Sequence, residues 1–383
     1  MKDNPISVLI VDDSALIRNL VSRMFDDIPD IQVIGKAMNG RFALQKLKKM
    51  NPDIIILDLQ MPEMNGIEFL KERKKRGIEI PVVILSAIAR KGAKITMEAL
   101  SLGASDFVLK PSGSATRHIY KTKDRLVDLI KIYGSQFKKE SAKKAGGANG
   151  APSSRLQPSP PQPVAAKQPA TQQVKARLAK GPGTPVKRSS LPIEIIAIGI
   201  STGGPNALRG LFPMIRSDLS VPILVVQHMP AGFTEEFAKS LDQISPLEVK
   251  EAADGDIIQT GRILIAPGDK HLEILDKPLA KIVRLSEKPE VNGHRPSADV
   301  LFASILQAYG GRSMAIIMTG MGRDGVKGIG AIYRAGGLTI AQDEASCIVF
   351  GMPRVAIDKG YIHKVLTIGM MAEIINQTYR ESG

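Results

Sequence analysis

The chain contains one cysteine, no tryptophan and no long uninterrupted apolar run. A single cysteine, Cys347, excludes an intramolecular disulfide framework and a zinc site built from several cysteines, and it fits a reducing compartment. No apolar stretch reaches the roughly 18 residues of a membrane span, and two carboxylates directly follow the first apolar run, unlike in a secretory signal. We therefore expect a cytoplasmic protein with no membrane insertion.

Aromatic residues make up only 4% of the chain, and its most basic segment contains none. Lysines and arginines exceed acidic residues by 14 over the whole sequence. Residues 138–192 hold 11 of these basic residues against one acid, Glu140, so 10 of the 14 excess charges lie there. Because no aromatic ring is interleaved with these charges, we expect a solvated basic tether and no nucleic-acid surface.

The length of 383 residues is sufficient for two domains. Short runs rich in Val, Ile and Leu alternate with helical patterns over residues 6–132 and again from residue 193. This alternation is typical of α/β domains with parallel sheets. The segment between them is rich in Pro, Ala, Gln and Lys, lacks hydrophobic periodicity and cannot bury enough surface to offset its chain entropy. The predicted units are a doubly wound parallel-sheet domain at 1–130, a flexible linker at 131–192, and a three-layer α/β domain at 193–383 with a mostly parallel sheet and an antiparallel ribbon within 263–285.

Polar side chains follow the predicted strands of the first domain. Asp12 and Asp13 come after the first strand, and Asp58 comes after the third. Because the carboxyl ends of parallel strands meet at one edge, these carboxylates should share a crevice, where a cation such as Mg²⁺ would offset their repulsion. Ser86 and Lys110 follow two other strands and would contact a phosphoryl group carried by Asp58. A single aspartate after a strand usually caps a helix, but five such positions together favour a phosphoryl site.

These positions resemble the receiver domain of two-component response regulators over about residues 5–125. The matching segments are Val11–Ser14, Leu57–Pro62 through Gly66, Ser86–Ala87 and Lys110–Pro111. The resemblance implies a flavodoxin-like fold, Mg²⁺ as cofactor and a histidine kinase as phosphodonor. The residues that it implies are the phospho-acceptor Asp58, the metal ligands Asp12 and Asp13 acting with Asp58, the phosphate contacts Ser86 and Lys110, and the aromatic switch residue Phe107. A core phenylalanine would look the same in sequence as the switch residue.

The second domain opens on Gly199-Ile200-Ser201-Thr202-Gly203, directly after an apolar run. A Gly-x-Ser-x-Gly pentad between a buried strand and a helix is typical of a nucleophile elbow, in which small neighbours let the backbone turn and present the hydroxyl. The alternative is a glycine-rich turn with a capping serine, because the motif is short.

A serine nucleophile needs a base, which a carboxylate usually orients. His228 directly follows the strand predicted at 222–227, so it should lie on the same sheet edge as Ser201. Asp324 is the only carboxylate of the glycine-rich loop after the strand at 313–319. Taken alone, His228 could be a structural histidine and Asp324 a turn residue. Taken together, the three positions predict Ser201 as nucleophile, His228 as base and Asp324 as the acid that orients the base. The remaining histidines lie in helices, loops or near the C-terminus: His118, His271, His294 and His363.

The order Ser, His, Asp differs from that of the α/β-hydrolases, and residues 193–380 resemble the catalytic domain of chemotaxis protein-glutamate methylesterases, the CheB family, which are also glutamine deamidases. The matching segments are Gly199–Pro205, Gln227–Pro230, Ala266–Gly268 with His271, Arg295–Ser297 with Asp299, Met318–Gly322 with Asp324 and Gly325, and Gly351–Pro353. The resemblance implies the same triad, an oxyanion facing the N–H groups of Met321 and Thr202, and no cofactor for hydrolysis. Arg295 and Ser297 would line the cleft, although a salt bridge and a helix cap account for them equally well.

Both resemblances together imply a hydrolase gated by the first domain. Phosphorylation of Asp58 would release inhibition, and the enzyme would demethylate glutamate methyl esters, and deamidate glutamines, of a methyl-accepting chemotaxis receptor. The long linker argues against strong inhibition, since it lowers the effective concentration of one domain near the other. The alternatives are a phosphorylation-switched adaptor, which the intact triad disfavours, and a DNA-binding output, for which a recognition-helix pattern is missing.

Overall fold

The computed structural model describes residues 4–86, 90–110, 116–146, 186 and 188–378. Within the helices, it does not describe the side chains at 90–91, 116–121 and 144–146. Most of the predicted linker, residues 147–185, and the His118 side chain therefore lie outside the described residues.

The first unit is a five-stranded parallel sheet with strand order β2-β1-β3-β4-β5, as the doubly wound pattern predicts. Strands β3 and β4 are buried along their whole length, because helices cover both faces of the sheet. The elements are β1 (Ile6–Val11), α1 (Ala15–Arg23), β2 (Ile31–Ala37), α2 (Gly40–Leu47), β3 (Ile54–Asp58), α3 (Gly66–Lys75), β4 (Val82–Ser86), α4 (Arg90–Ser101), β5 (Asp106–Leu109) and α5 (Thr116–Leu129).

The last helix of this unit runs on into the segment predicted as linker. Helix α5 continues through a π-helical turn, Ile130–Gly134, into α6 (Ser135–Gly146). Ile130 and Tyr133 are buried, and the Tyr133 hydroxyl donates to the carbonyl of Ser105 at 2.9 Å. The predicted boundary at residue 131 is thus too early for the helix, because apolar contacts to the sheet outweigh the basic composition that follows. Neither this helix nor any other described one is long and apolar enough to cross a membrane.

The second unit contains a seven-stranded parallel sheet of order β14-β13-β12-β6-β7-β9-β8 and a separate antiparallel hairpin, β10-β11. The elements are β6 (Ile195–Ile200), α7 (Gly204–Leu211), β7 (Ile223–Gln227), α8 (Thr234–Asp242), β8 (Glu248–Glu251), β9 (Arg262–Ile265), β10 (His271–Asp276), β11 (Lys281–Ser286), α9 (Ala298–Tyr309), β12 (Ser313–Ile317), α10 (Val326–Arg334), β13 (Leu338–Gln342), α11 (Met352–Asp358), β14 (Lys364–Leu366) and α12 (Ile368–Gln377). The hairpin is the predicted antiparallel ribbon.

Two edge strands, β8 and β14, carry too little apolar sequence to be predicted. They have four and three residues, and both are only partly buried. The central strand β6, in contrast, contributes alternate residues to two apolar clusters on opposite faces of the sheet. Helices cover both faces, which confirms the predicted three-layer arrangement.

The apolar core of the first unit continues into the second. One cluster contains Met97 and Phe107 from the first unit together with Phe233 and Phe237 from the second. All four side chains are buried. The two units therefore pack against each other through apolar contacts next to the carboxyl edges of their sheets.

Candidate active site

Ser201 lies immediately beyond the carboxyl end of β6 and is 7% exposed. Its backbone N–H donates to the carbonyl of Thr319 at 3.0 Å, which ties it to the end of β12. Gly203 adopts a left-handed φ of 76°, and a Cβ on Gly204 would come within 2.0 Å of the Gln227 amide oxygen. Only glycine permits this strand-to-helix turn, so the pentad forms the tight elbow that the sequence predicts.

His228 and Asp324 form a hydrogen-bonded pair at the same edge. The His228 Nε2 atom lies 2.8 Å from Asp324 Oδ2. His228 Nδ1 is buried and has no hydrogen-bond partner among the described residues. Both Ser201 and His228 line one cavity, although no hydrogen bond joins them in the described part of the chain. The atom of the ring that is left for proton transfer is therefore Nδ1.

The Asp324 carboxylate sits at the amino end of helix α9 and is 1% exposed. It accepts hydrogen bonds from the Ser297 hydroxyl at 2.7 Å, the Asn292 amide at 2.9 Å and the Ala298 N–H at 2.6 Å. Burial alone would raise the pKa of Asp324, but the bonds from His228, Ser297 and Asn292 outweigh it and lower that pKa. Because the positive end of a helix dipole also favours an anion, the carboxylate is ionised at neutral pH.

The N–H groups of Thr202 and Met321 are available to a ligand. Neither donates a backbone hydrogen bond within the described ranges. A Cβ on Gly320 would lie 2.8 Å from the Ser201 Cβ, so the Met321 loop runs directly beside the candidate nucleophile. Met321 itself is 43% exposed. These two N–H groups are therefore unpaired with the described backbone, one next to Ser201 in the chain and the other in the loop beside it.

At the edge of the first sheet, Asp12, Asp13 and Asp58 each offer one carboxylate oxygen, and these oxygens lie within 4.8 Å of one another. Lys110 Nζ lies 2.8 Å from Asp12 and 2.9 Å from Asp58. Burial is the main cause that raises the pKa of Asp58, and the neighbouring Asp12 adds to it. Such an oxygen-only donor set fits Mg²⁺, since the cation would offset the repulsion that one lysine only partly relieves.

The other two predicted receiver residues lie on the next two strands of the sheet, β4 and β5. Ser86 ends β4, beside the strand of Asp58, and its hydroxyl is 2.6 Å from that of Thr96. Phe107 is on β5 and stacks on Phe233 of the second unit, with ring centroids 4.9 Å apart. The residue predicted as an aromatic switch thus lies at the contact between the two units.

A cavity of about 440 Å³ lies between the two units. Phe107, Lys110 and Arg125 line it from the first unit, and Ser201 and His228 line it from the second. Arg125 Nη1 donates to the Thr202 hydroxyl at 2.8 Å. The first unit therefore covers the candidate nucleophile and bonds the residue next to it.

Asp106, at the start of β5, is buried by this contact, and no sequence signal singled it out. Its carboxylate lies 3.6 Å from the guanidinium of Arg125, which bonds Thr202 of the second unit. Burial raises the pKa of Asp106. An acid in the first unit thus lies beside the arginine that bonds the second unit.

Sequence reasoning also missed Asn292 and His294, which it left in a loop. Asn292 donates to Asp324, and the His294 ring stacks on that of His228 with centroids 3.8 Å apart. A usable signal was that both residues lie just before the matched segment Arg295–Ser297 in the sequence.

Arg295 shows both features that the sequence left open, whereas Ser297, which is fully buried, shows only the helix cap. Arg295 binds Asp269 at 2.6 Å and lines the cavity between the units. Ser297 caps α9 and also donates to Asp324. His271 is buried and accepts from the Ser297 backbone N–H at 3.2 Å, so its contacts are structural.

Comparisons with known proteins match both units. The CheB methylesterase family matches residues 196–375, and the response regulator receiver domain family matches residues 8–119. A protein-glutamate methylesterase/protein-glutamine glutaminase of Treponema denticola is 50% identical over 376 residues, covering 98% of this chain and 99% of that protein. One of the same name from Treponema pallidum is 45% identical, covering 98% and 97%. The crystal structure of the Thermotoga maritima CheB methylesterase catalytic domain covers 49% of this chain and 99% of its own, with 39% identity and a TM-score of 0.48.

Proposed function

Because this chain belongs to the protein-glutamate methylesterase/protein-glutamine glutaminase family, we propose that it demethylates glutamate methyl esters of chemotaxis receptors under the control of its receiver domain. It deamidates receptor glutamines at the same serine. The observation that carries this proposal is that His228 binds Asp324 at 2.8 Å and shares one cavity and one sheet edge with Ser201. The test is methanol release from methylated receptor, with and without a small phosphodonor.

The acylation step uses Ser201 as nucleophile and His228 as base. Asp324 holds the Nε2–H of His228, so Nδ1 carries the lone pair and takes the Ser201 proton as Oγ attacks the side-chain carbonyl carbon. The bond between Ser201 and Nδ1 forms when substrate enters, since catalytic hydrogen bonds often tighten only in the complex. The ionised Asp324 stabilises the resulting imidazolium.

The tetrahedral intermediate then collapses to an acyl-enzyme. The N–H groups of Thr202 and Met321 donate to the oxyanion, and His228 returns its proton to the leaving methanol. Water attacks the acyl group with His228 again as base, and Ser201 is released with a glutamate carboxylate. A glutamine follows the same path and releases ammonia, and hydrolysis needs no cofactor.

The receiver carries the switch. A histidine kinase supplies the phosphoryl group to Asp58. Asp12, Asp13 and Asp58 would hold Mg²⁺, which would supply positive charge to offset that of the phosphoryl group. Lys110 pairs with the phosphate, and the Ser86 hydroxyl donates to it. The contact between the units supports this role, because β5 leads to Lys110 and also carries Phe107, which stacks on Phe233 of the catalytic unit.

The cytoplasm is the location that we propose, because the kinase and the methylated region of the receptor must both reach one enzyme there. The intact arrangement of Ser201, His228 and Asp324 disfavours an adaptor without hydrolysis. If the wild-type chain demethylates the receptor and the Ser201→Ala variant does not, the chain acts as a hydrolase and not as an adaptor.

Replacing Asp58 with Asn is expected to remove the response to the phosphodonor while leaving basal methanol release within about twofold. The amide cannot accept a phosphoryl group, and the residue lies far from the hydrolytic groups in the sequence and on another sheet. The assay measures the ratio of rates with and without phosphodonor. Asp30→Asn is the matched control, because Asp30 is an exposed partner of Lys131 and should keep the full response. Stimulation that persists in Asp58→Asn would contradict Asp58 as the acceptor.

Replacing Arg125 with Ala is expected to raise the unphosphorylated rate about fivefold. The change removes the bond to Thr202 and leaves Asp106 buried without its cationic neighbour, and both effects weaken docking of the receiver by ~1 kcal/mol. Lys123→Ala on the same helix is the control, since Lys123 pairs with Asp27 on the receiver itself. An unchanged basal rate in Arg125→Ala would contradict inhibition through this contact.

A further inference from the structure

A tight turn between β11 and α9 touches both members of the His228–Asp324 pair. Val291 and His294 exchange two backbone hydrogen bonds, at 3.1 and 3.0 Å. The residues between them, Asn292 and Gly293, have left-handed φ values of 55° and 78°. Asn-Gly is the favoured pair for such a two-residue turn, so the turn holds its side chains in fixed directions.

The two side chains of this turn contact different members of the pair. The Asn292 amide donates to Asp324 at 2.9 Å and to Asp299 at 2.9 Å. The His294 ring lies face to face on the His228 ring, with centroids 3.8 Å apart and planes 13° from parallel. One short segment therefore holds the acid by hydrogen bonding and the base by stacking.

The His228 ring needs this support because a single hydrogen bond holds it. Its Nε2 binds Asp324, and its Nδ1 has no partner in the described part of the chain, so the bond alone leaves the ring free to tilt about it. A parallel ring in van der Waals contact removes that freedom. The ring nitrogens of His294 have no hydrogen-bond partner within the described residues, so the contact depends on the ring face alone.

Stacking favours catalysis only if His294 stays neutral. Burial first, and then the nearby His228, lower the pKa of His294 to about 4, so it carries no charge at pH 7. A neutral ring can stabilise the imidazolium that forms on His228, whereas a charged ring would repel it. Charged or titratable groups near the two rings include Asp324, Arg125, Lys110, Glu290, Arg295, Asp106 and Arg323.

We propose that His294 is a positioning residue, whose neutral stacked ring holds the His228 imidazole with Nε2 on Asp324 and Nδ1 directed to the nucleophile. The inference rests on the proposed function for its kinetic consequences, but the contact that it invokes is measurable without turnover. It predicts that ring shape and neutrality matter at position 294, and that the nitrogen atoms do not.

Three substitutions of His294 test the need for a ring and for its neutrality. They are assayed in the full-length enzyme, with phosphodonor, by methanol release. His294→Phe keeps a flat neutral ring, and we expect kcat within about threefold of wild type. His294→Ala removes the ring, and we expect kcat to fall about 30-fold with KM within about twofold, since the ring positions the base and does not bind substrate. His363→Ala, a histidine bonded to Thr339 away from the cavity, is the control and should not change kcat.

A third substitution at position 294, His294→Arg, places a planar cation over His228. Because a positive neighbour disfavours the imidazolium, the acid limb of the kcat profile should move about one unit to lower pH while the plateau falls. A purely structural role for His294 would not move that limb. NMR titration of the His228 imidazole in each variant measures the same shift without hydrolysis, so it remains valid if the proposed function fails.

Thermal unfolding and phosphorylation of Asp58 check that each variant is folded. If folded His294→Phe lost as much kcat as His294→Ala, the nitrogen atoms would be required and the proposal would be wrong. It would also be overturned if His294→Ala kept kcat within about threefold, or if His294→Arg left the His228 titration unchanged. Wild type without methanol release would refute the proposed function, and the titration would then decide the stacking separately.

Discussion

Replacing Ser201 with Ala is expected to reduce methanol release from methylated receptor by at least about 10⁴-fold, with or without phosphodonor. The change deletes the only atom that forms the acyl bond, and neither His228 nor the oxyanion donors can replace it. The hydroxyl makes no hydrogen bond within the described residues, and the neighbouring glycines set the turn, so the elbow should keep its shape.

A matched serine controls for this change. Ser220 lies at the amino end of β7, on the opposite edge of the sheet, and its buried hydroxyl also has no partner in the described structure. Ser220→Ala should therefore keep the wild-type rate. If Ser201→Ala kept more than about 1% of the wild-type rate while Ser220→Ala was fully active, Ser201 could not be the nucleophile. An inactive wild type would instead favour the adaptor alternative.

Replacing Asp324 with Asn is expected to lower kcat by about 10³- to 10⁴-fold at nearly unchanged shape. Ser297 and Asn292 donate to Asp324 Oδ1, whereas the Ala298 N–H and His228 Nε2 face Oδ2, so an amide there directs its oxygen at Ser297 and Asn292. Its NH₂ group then faces His228 Nε2, which forces the proton of the ring onto Nδ1. A base that already carries a proton on that atom cannot accept one from Ser201.

The same substitution has an effect on stability with a defined sign. The pKa of Asp324 is lowered in the folded protein, so ionisation stabilises the fold at pH values above the unfolded pKa, about 3.9, and this contribution disappears as pH falls through the folded value. Asp324→Asn should therefore lower the thermal midpoint at pH 7 and show less loss of stability on acidification than wild type. Calorimetry across this pH range measures both.

Asp299→Asn separates the loss of the base partner from a general effect on this loop. Asp299 also accepts from Asn292 and from the Gly328 N–H, but it does not contact His228. We expect it to retain kcat within about tenfold. Equal losses in Asp299→Asn and Asp324→Asn would contradict a specific role for Asp324 in orienting the base.

The candidate groups of both units could be located from the sequence because each follows an apolar strand. Asp58, Ser201 and His228 come directly at the ends of β3, β6 and β7, and parallel strands bring such ends to one edge. The edge strands β8 and β14 could not be predicted in the same way. They are short and partly exposed, so few of their residues need to be apolar and their sequences show no clear strand pattern.

The residues that sequence reasoning missed share a different property. Asn292 and His294 belong to a turn whose position depends on the hairpin β10-β11 and helix α9, and no strand pattern leads to it. Arg125 and Asp106 face Ser201 only because the receiver docks on the catalytic unit. The sequence around a residue does not show which distant side chains will meet when the receiver docks on the catalytic unit.

The chain by itself therefore determined two α/β units, their order, and the polar groups at their strand ends, because alternation of apolar runs and glycine-rich turns is a local property. Only the tertiary structure decided which nitrogen of His228 faces Asp324, which ring supports it, and which receiver side chains cover Ser201. Those features depend on contacts between segments up to about a hundred residues apart, whose geometry arises when the sheets, the hairpin and the two units pack together.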